Sequence, residues 1–231
     1  MYERSRPGYP DDAARYISST PAAILDVAAG TGRLTTQLSD LGHQVVGLDP
    51  SIEMLSQLQR QQPGIGSTVG RAEALPFVAE SFDILTVAQA FHWFDQPVAL
   101  AEFARVLRPR GHLAILWNFR DESVDWVAEL SRLIGSEGAE KEQDPSYDPL
   151  ASSSLFGATS HRSFRFEQSL DPELLVELVR SRSYVATLSE ADRRLVLENV
   201  RRLCSEHHAL AGRSHFSMPY RTEVFLAEKI N

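Results

Sequence analysis

A glycine-containing segment near the start of the chain carries the residue types best suited to ligand binding. Residues 26–32 read DVAAGTG, in which Gly30 and Gly32 allow a sharp backbone turn and the close approach of a ligand. The apolar run that follows ends in Asp49, whose carboxylate offers two acceptor oxygens to a pair of ribose hydroxyls. These residues together predict a site for a nucleoside cofactor.

Charge and spacing distinguish between the possible nucleosides. A dinucleotide fold uses G-x-G-x-x-G to bring amides onto a pyrophosphate, whereas Thr35 stands where the third glycine would be. Asp26, at the end of the predicted strand, would repel a pyrophosphate but suits an ammonium group. Because S-adenosylmethionine carries an α-ammonium and a sulfonium, the segment favours this cofactor over NAD.

A second group of candidates is the segment QAFHWF at 89–94, which follows an apolar run. Transfer of a methyl group from a sulfonium mainly requires the nucleophile to be held in line, about 3 Å from the methyl carbon. His92 is a candidate general base, since a pKa of about 6.5 suits proton removal near neutrality. Phe91 and Trp93 are candidate walls for an acceptor. The alternatives are a histidine that only packs beside Trp93 and aromatic rings that belong to the core.

Two further sets of residues complete the candidates. A lid over the cofactor is predicted for Tyr2, Arg6 and Tyr9, which precede the first helix. In this lid Arg6 would face the methionine carboxylate. Polar contacts for a small acid acceptor are predicted at Asn118, Arg182 and Tyr184. The alternative for the first set is a terminus that is only packed or disordered, and for the second set surface or capping roles.

The elements that must position these residues follow from the hydrophobic pattern. Short aliphatic runs bounded by Gly, Pro or Asp predict strands at 23–27, 44–48, 67–69, 82–88 and 112–117. Helical periodicity predicts helices from Asp11 onward and at 34–41, 52–61 and 98–107. This alternation is typical of a parallel sheet with right-handed crossovers. Later segments predict helices at 124–134, 172–182 and 190–205, a loop over 137–154, a strand at 163–168 and a terminal strand or hairpin within 216–227.

Length and composition exclude several classes of protein. The chain has 231 residues, with 23 Lys+Arg against 31 Asp+Glu and a net charge of −8, which argues against an extended nucleic-acid surface. A 43% hydrophobic and 23% charged composition excludes wholesale disorder. The single Cys204 excludes an intramolecular disulfide, and no ligand spacing predicts a metal site. With no signal peptide or membrane-length apolar run evident, we expect a cytoplasmic protein with no membrane partner.

Six motifs in order give the chain a wider resemblance. They are RPGYP at 6–10, DVAAGTG at 26–32, VVGLDPS at 45–51, GRAEALPF at 70–77, SFDILTVAQAFHWFD at 81–95 and VLRPRGHLAI at 106–115. Through them the sequence resembles the class I S-adenosylmethionine-dependent methyltransferases, in the small-molecule subgroup of methyltransferase type 11 and trans-aconitate methyltransferase-like proteins. The resemblance implies an α/β fold, with a doubly wound, mostly parallel seven-stranded Rossmann-like sheet, a reversed C-terminal strand and added helices.

The resemblance also implies residue roles. Contacts to the methionine end of the cofactor are implied for Asp26, Ala28, Gly30, Gly32, Ala88 and Gln89. The ribose is implied to bind Asp49, and the adenine to lie by Pro50, Met54, Ala72 and Glu73. Residues 1–118 would form the cofactor-binding core, and 119–231 would complete the sheet and supply acceptor-side helices within one compact domain. Glycine is more usual in the family at Ala28, so we expect altered contact geometry there rather than loss of binding.

Several functions remain open at this point. The first is transfer of a methyl group from S-adenosylmethionine to a small molecule, at an oxygen of a carboxylic acid or hydroxyl compound. Methylation of nucleic acid or protein is disfavoured, because AQAFHW stands where a D/N-P-P-Y tetrapeptide would follow the fourth strand. The sequence also leaves open a nicotinamide-dependent oxidoreductase, which the loop disfavours, and a cofactor-binding protein without turnover. The acceptor and the oligomeric state are not indicated by the sequence.

Overall fold

A computed structural model of the chain describes residues 6–135, 143, 144 and 146–230. The helices are α1 (Asp11–Ile17), α2 (Arg33–Asp40), α3 (Ile52–Gln61), α4 (Gln96–Val106), α5 (Asp125–Ile134), α6 (Pro172–Arg180), α7 (Ser183–Ala186) and α8 (Glu190–Glu206), with a 3-10 helix at Phe91–Trp93. The strands are β1 (Ala23–Val27), β2 (Gln44–Asp49), β3 (Gly66–Val69), β4 (Phe82–Ala88), β5 (Leu107–Arg120), β6 (Ser160–Leu170) and β7 (Phe216–Glu228).

The strands form a 7-stranded sheet of order β3-β2-β1-β4-β5-β7-β6. The first five strands in this order pair in parallel, so that Asp26 on β1 lies opposite Gly47 on β2 and Thr86 on β4. The strand order reverses at β1 and β4, and the loops after β1, β2 and β4 therefore meet at one edge of the sheet. This confirms the predicted doubly wound parallel arrangement.

The last strand, β7, runs antiparallel to β5. The amide of Lys229 donates to the carbonyl of Gly111 at 2.8 Å, and the amide of Asp121 donates to that of Pro219 at 2.9 Å. This direction confirms the expected reversed C-terminal strand, and it decides the choice between a strand and a hairpin in favour of one long strand. Strand β5 is longer than the 112–117 predicted, because a register shift between Phe82 and Ile84 accommodates residues 107–111 in the sheet.

Local signals explain where the helices beside the predicted site begin. Helix α3 starts after Ser51, whose hydroxyl accepts the amide of Met54 at 3.3 Å. Helix α4 starts after Asp95, whose side chain accepts the amide of Val98, with a proline in its first turn. Such caps satisfy amides that have no partner within the helix. Below them, Leu58 of α3 is completely buried, so that this helix is fixed against the sheet.

Backbone contacts divide the chain into two compact units. The larger unit comprises Gly8–Asn118, Ser146–Phe164 and the described part of Thr222–Asn231. The smaller unit comprises the described residues of Met1–Pro7, Phe119–Pro145 and Arg165–Arg221. Its core includes Trp126 of α5, Leu175 of α6 and Leu203 of α8. The predicted division at residue 118, within one compact domain, stays a prediction.

The remaining differences from the predicted elements are small. Strands β1 and β4 and helix α3 have the predicted bounds. Helix α6 ends two residues earlier than predicted, so Arg182 lies beyond its C-terminal cap, Ser181. Much of the predicted loop over 137–154 lies outside the described residues. In the part of the chain that the structure describes, no helix combines the length and the apolar character needed to cross a membrane.

Candidate cofactor site

The glycine loop after β1 is held in a left-handed conformation. Ala28, Gly30 and Gly32 have φ angles of 57°, 58° and 87°. A side chain on Gly32 would place its Cβ in overlap with Leu58 Cδ1, whereas Gly30 has open space around it. Gly32 is therefore required by close packing as well as by its backbone, and Gly30 leaves room for a ligand. Ala28 adopts a conformation that glycine tolerates better, in line with the altered geometry expected at this position.

Asp49, at the end of β2, fixes this loop from the side. Its Oδ2 accepts the amide of Gly30 at 2.8 Å, and its Oδ1 accepts the amide of Ser51 at 2.8 Å. The side chain is buried but still lines a cavity. Each carboxylate oxygen has a second lone-pair site, so the group retains acceptor capacity for hydroxyls of a ligand. The predicted role of Asp49 toward a ribose is compatible with this geometry.

Asp26 lies one strand away and is in a different environment. It is 2% exposed, and its two oxygens accept the hydroxyls of Thr35 at 2.6 Å and Thr86 at 2.7 Å. Burial raises the pKa of this carboxyl to about 6, against the opposing effect of both hydroxyl hydrogen bonds. Asp26 therefore lies beneath the loop with its oxygens occupied, and direct contact with an ammonium group stays a prediction.

A cavity of about 320 Å³ opens beside Asp49. Its lining includes residues from the loops after β1, β2, β3 and β4, namely Ala28, Asp49, Pro50, Arg71, Ala72, Glu73, Ala90, Trp93 and Phe94. Trp93 is 70% exposed, which is unusual for so large an apolar side chain. An apolar wall with a carboxylate at one end matches what an adenosine group needs. The structure thus brings five of the predicted cofactor contacts to one cavity, together with Trp93, which was predicted as a wall for the acceptor; their roles stay predictions.

The segment that carries Ala72 and Glu73 is held by a charged pair on α4. Glu102 accepts the amide of Leu75 at 2.8 Å and is bridged to Arg105, which in turn donates to the carbonyls of Phe77 and Leu75. The hydrogen bond from Arg105 lowers the pKa of Glu102. Glu73 itself accepts the amide of Asp95 at 3.1 Å. The sequence analysis did not predict the ion pair between Glu102 and Arg105, although the spacing Glu-x-x-Arg on a predicted helix indicates such a pair.

The remaining predicted cofactor contacts, Met54, Ala88 and Gln89, have different surroundings. Met54 is half-buried near the first turn of α3 and is not among the cavity-lining residues. Ala88 packs against the core of the larger unit. Gln89 has a left-handed φ of 62°, donates its amide to the carbonyl of Leu116 at 2.9 Å and reaches the carbonyl of Asn118 with its side chain at 3.5 Å. Strained backbone of this kind is frequent at functional sites.

The aromatic segment after β4 divides into buried and accessible side chains. Phe91 is fully buried with its ring edge on Phe94, which indicates a packing role rather than contact with an acceptor. His92 is half-buried beside Trp93, with ring centroids 4.9 Å apart. Its Nδ1 is buried and has no hydrogen-bond partner among the described residues. A buried nitrogen of this kind suits an exchangeable proton or a ligand contact.

Asn118, predicted as an acceptor contact, has one hydrogen-bond partner at each end of its side-chain amide. Its Nδ2 donates to the carbonyl of Gly8 at 2.9 Å, and its Oδ1 accepts the hydroxyl of Thr222 at 2.6 Å. The side chain therefore ties three chain segments of the larger unit together at the end of β5. Nδ2 has a second N–H and Oδ1 a second lone pair, so contact of Asn118 with an acceptor stays a prediction.

The predicted lid residues do not stay together in one unit. Tyr9 belongs to the larger unit, where its carbonyl accepts the side-chain amide of Gln37 at 2.8 Å. Arg6 belongs to the smaller unit and donates to the hydroxyl and the carbonyl of Ser181 at 3.1 and 2.6 Å. Tyr2 lies outside the described residues. Of the remaining acceptor candidates, Arg182 and Tyr184 are in the smaller unit, and Arg182 is only 9% exposed.

The fold and this site define the class of protein. The sheet has the order β3-β2-β1-β4-β5-β7-β6 with one reversed strand, and it carries the glycine loop and Asp49 where the strand order reverses. These features are those of a Rossmann-like methyltransferase fold. The methyltransferase domain family model matches residues 25–115. An uncharacterised methyltransferase of Mycobacterium tuberculosis (strain ATCC 25618 / H37Rv) is 40% identical over 222 residues, covering 96% of this chain and 89% of that protein. The chain belongs to this family of class I S-adenosylmethionine-dependent methyltransferases.

Further relatives support the same assignment. A methyltransferase-like protein of Schizosaccharomyces pombe, also uncharacterised, is 29% identical over 239 residues, covering 99% of this chain and 92% of its own length. A solved structure from Anaeromyxobacter dehalogenans, provisionally classed as a type II methyltransferase, has a TM-score of 0.70 at 21% identity and covers 96% of this chain and 97% of that one. The likeness to this structure concerns the fold alone, and the fold implies binding of S-adenosylmethionine.

Proposed function

We propose that this protein transfers a methyl group from S-adenosylmethionine to a small molecule, at an oxygen of a carboxylic acid or hydroxyl compound. The observation that carries the proposal is the geometry of Asp49, which lines the 320 Å³ cavity while holding the Gly30 amide. A carboxylate in this position accepts hydrogen bonds from vicinal ribose hydroxyls. A nicotinamide cofactor is disfavoured, because the loop lacks the third glycine that brings amides onto a pyrophosphate.

The residues present are compatible with the cofactor. Open space at Gly30 admits its methionine end, and the exposed Trp93 with Pro50 offers apolar surface for the adenine. The carboxyls of Asp26 and Asp49 make the loop region electronegative, which suits a ligand with two cationic centres. When bound, S-adenosylmethionine supplies an electrophilic methyl carbon, and in-line displacement forms the acceptor–carbon bond, breaks the carbon–sulfur bond and leaves neutral-sulfur S-adenosylhomocysteine.

The contribution of this chain is mainly to bind and to orient. Ala28 and Gln89, both with left-handed backbone, turn the loops after β1 and β4 at the same edge of the sheet. His92 takes up the proton when the acceptor is a hydroxyl, at Nδ1 or at the opposite ring nitrogen. A carboxylate acceptor carries no proton to remove, and then His92 acts only by packing with Trp93. The proposed acceptor is a small molecule rather than nucleic acid, in line with the net charge of −8.

A titration and a labelling experiment test the proposal together. Calorimetric titration with S-adenosylmethionine, S-adenosylhomocysteine and NADH should give binding of the first two only. Incubation with methyl-labelled cofactor and a metabolite extract, followed by mass spectrometry, should then show a compound heavier by one methylene unit. Binding of NADH alone would overturn the proposal, and cofactor binding without any labelled product would favour a protein without turnover.

The role of His92 is tested by the substitution His92→Asn. If a hydroxyl is the acceptor, we expect the rate to fall by about a hundredfold or more, because the base is lost. If the acceptor is a carboxylate, the rate should change little. His112→Asn, on β5 in the same unit and away from the cavity-lining residues, serves as the matched control.

A further inference from the structure

A cavity of about 470 Å³ lies within the smaller unit. Its walls come from four segments: the start of α5, the end of β6, the turn that follows α8 and the start of β7. The volume is that of an ordinary small-molecule site. The described residues that line it include none of those that line the cofactor cavity, so the proposed function leaves this cavity without a role.

The closed side of the cavity is apolar. Trp126 and Phe216 are 4% and 7% exposed and pack edge to face, with ring centroids 5.4 Å apart and an angle of 77° between the planes. Leu210 is buried, whereas Val124 and Ala209 are half-buried and leave apolar surface open to the cavity. Apolar surface of this kind favours the burial of a hydrocarbon chain or ring against it.

The turn after α8 holds Arg213 at this cavity. The carbonyl of His207 accepts the amides of Leu210 and Ala211, both at 2.8 Å, and the carbonyl of Leu210 accepts the amide of Arg213 at 3.0 Å. Gly212 has a left-handed φ of 74°, which glycine adopts without strain. The backbone at Arg213 is therefore fixed before a ligand arrives, and this lowers the entropic cost of binding.

The charge around the cavity has one sign among the described residues that line it. Arg213 and His215 line the cavity and are exposed, and none of the described lining residues is an Asp or a Glu. In the part of the chain that the structure describes, no carboxylate forms an ion pair with the Arg213 guanidinium. Because the whole chain has a net charge of −8, this local positive charge distinguishes the cavity and favours an anionic ligand.

Arg213 suits a carboxylate in particular. A guanidinium presents its N–H groups in a planar fork that matches the two oxygens of a carboxylate. The imidazole of His215, whose Nδ1 is 3.4 Å from the hydroxyl of Ser214, provides a further polar contact. An inorganic anion would use these groups but leave the apolar side of the cavity in water, and a neutral hydrocarbon would use the apolar side alone. An acid with an apolar body uses both.

We propose that this cavity binds a free monocarboxylic acid with an aliphatic or aromatic body. The carboxylate lies at Arg213, and the body lies against the apolar side formed by Trp126, Leu210 and Phe216. The acid bound here is not the methyl acceptor of the proposed function. This second site therefore stands whether or not that function is correct.

Calorimetric titration of the full chain tests the proposal. The probes are octanoate, its neutral counterpart octanamide, and acetate, which has the charge without the body. We expect octanoate to bind about tenfold more tightly than either of the others, or better, because it alone contacts both the guanidinium and the apolar side. Binding of octanoate no tighter than that of octanamide or acetate would overturn the proposal, as would the absence of octanoate binding.

Two substitutions at exposed lining positions locate the bound acid. Arg213→Gln should raise the Kd of octanoate by about tenfold or more, and Arg213→Lys should raise it less, because the charge stays while the fork is lost. Ser217→Trp leaves the charge in place but fills the cavity with a ring, and it should abolish binding. Arg202→Gln, at an exposed position of α8 away from the lining residues, is the matched control and should bind octanoate like the wild type.

The variants also separate this cavity from other places where an acid could bind. An unchanged Kd in both Arg213→Gln and Ser217→Trp, with circular dichroism spectra like that of the wild type, would show that octanoate binds elsewhere and would overturn the proposal. Sedimentation with phosphatidylglycerol vesicles provides the last arm, and we expect none. Sedimentation of the wild type that is lost in Arg213→Gln would assign this residue to a lipid surface instead of a free acid. Failure of S-adenosylhomocysteine to bind would contradict the proposed function and leave the octanoate results unaffected.

Discussion

The carboxylates of Asp26 on β1 and Asp49 on β2 have different surroundings. In the larger unit, Asp26 and Asp49 lie at the ends of adjacent strands, and their oxygens accept hydrogen bonds from nearby hydroxyl and amide groups. Asp26 is 2% exposed and is covered by its two hydroxyl partners, whereas Asp49 lines the cavity of about 320 Å³. The difference shows how one edge of the sheet uses one carboxylate to fix neighbouring elements and another to face a space that a ligand can enter.

The largest expected effect concerns the buried carboxylate. Because the folded-state pKa of Asp26 is raised to about 6 from 3.8, the folded protein holds a proton that the unfolded chain releases earlier. The contribution of Asp26 to the free energy of unfolding is greatest below about pH 4. It falls as the pH rises toward about 6 and is constant above that pH. The fall amounts to about 3 kcal/mol at most.

Urea unfolding of wild type and Asp26→Asn at intervals between pH 4 and pH 7 checks this expectation. The difference in unfolding free energy between the two proteins should change across that window in favour of the variant at higher pH. Ser39→Asn, a polar substitution outside the site on α2, provides a comparison with no buried carboxyl. A difference that stays constant with pH would show that Asp26 does not titrate in this range.

A smaller effect separates the two glycines of the loop. Gly32→Ala should lower the unfolding free energy by about 2 kcal/mol, because left-handed backbone and overlap with Leu58 act together. Gly30→Ala has only the backbone penalty, about 1 kcal/mol, and is the matched control. Chemical denaturation measures both. Equal losses would mean that packing against α3 does not restrict the loop.

The smallest effect is at Ala28. Its φ of 57° is unfavourable for alanine, so Ala28→Gly should stabilise the protein by up to about 1 kcal/mol in spite of the entropy of glycine in the unfolded chain. Ala29→Gly, at the next position, is the control and should destabilise slightly. Thermal unfolding of the two variants compares them directly. A loss of stability in Ala28→Gly would indicate that the left-handed conformation carries no strain.

Sequence reasoning was most successful where the signals are contiguous. The bounds of β1, β4 and α3 follow from apolar periodicity and from flanking Gly, Pro and Asp residues. The loop and Asp49 lie within a short stretch, so their meeting at one sheet edge follows from a parallel arrangement alone. The length of β5 could not be predicted in the same way, because residues 107–111 join the sheet only through pairing with distant β4 and β7.

In the candidate site, the contacts between side chains could not be predicted from the sequence either. The sequence indicates that Asp26 is at a strand end, but not that Thr35 and Thr86 occupy its oxygens, because Thr86 comes from another strand. Likewise, Asn118 was a candidate on its own, while its hydrogen bonds to Gly8 and Thr222 join it to segments more than one hundred residues away along the chain. Contacts of this kind depend on the packing of whole elements, which a local pattern does not contain.

The most direct measurement of the central claim is calorimetric titration of wild type and Asp49→Asn with S-adenosylhomocysteine. The wild type should bind one equivalent. The variant, still folded by circular dichroism, should bind at least tenfold more weakly, because an amide side chain replaces a charged acceptor for the ribose hydroxyls. Equal affinities in the two proteins would contradict the placement of the nucleoside beside Asp49, and with it the account of this cavity.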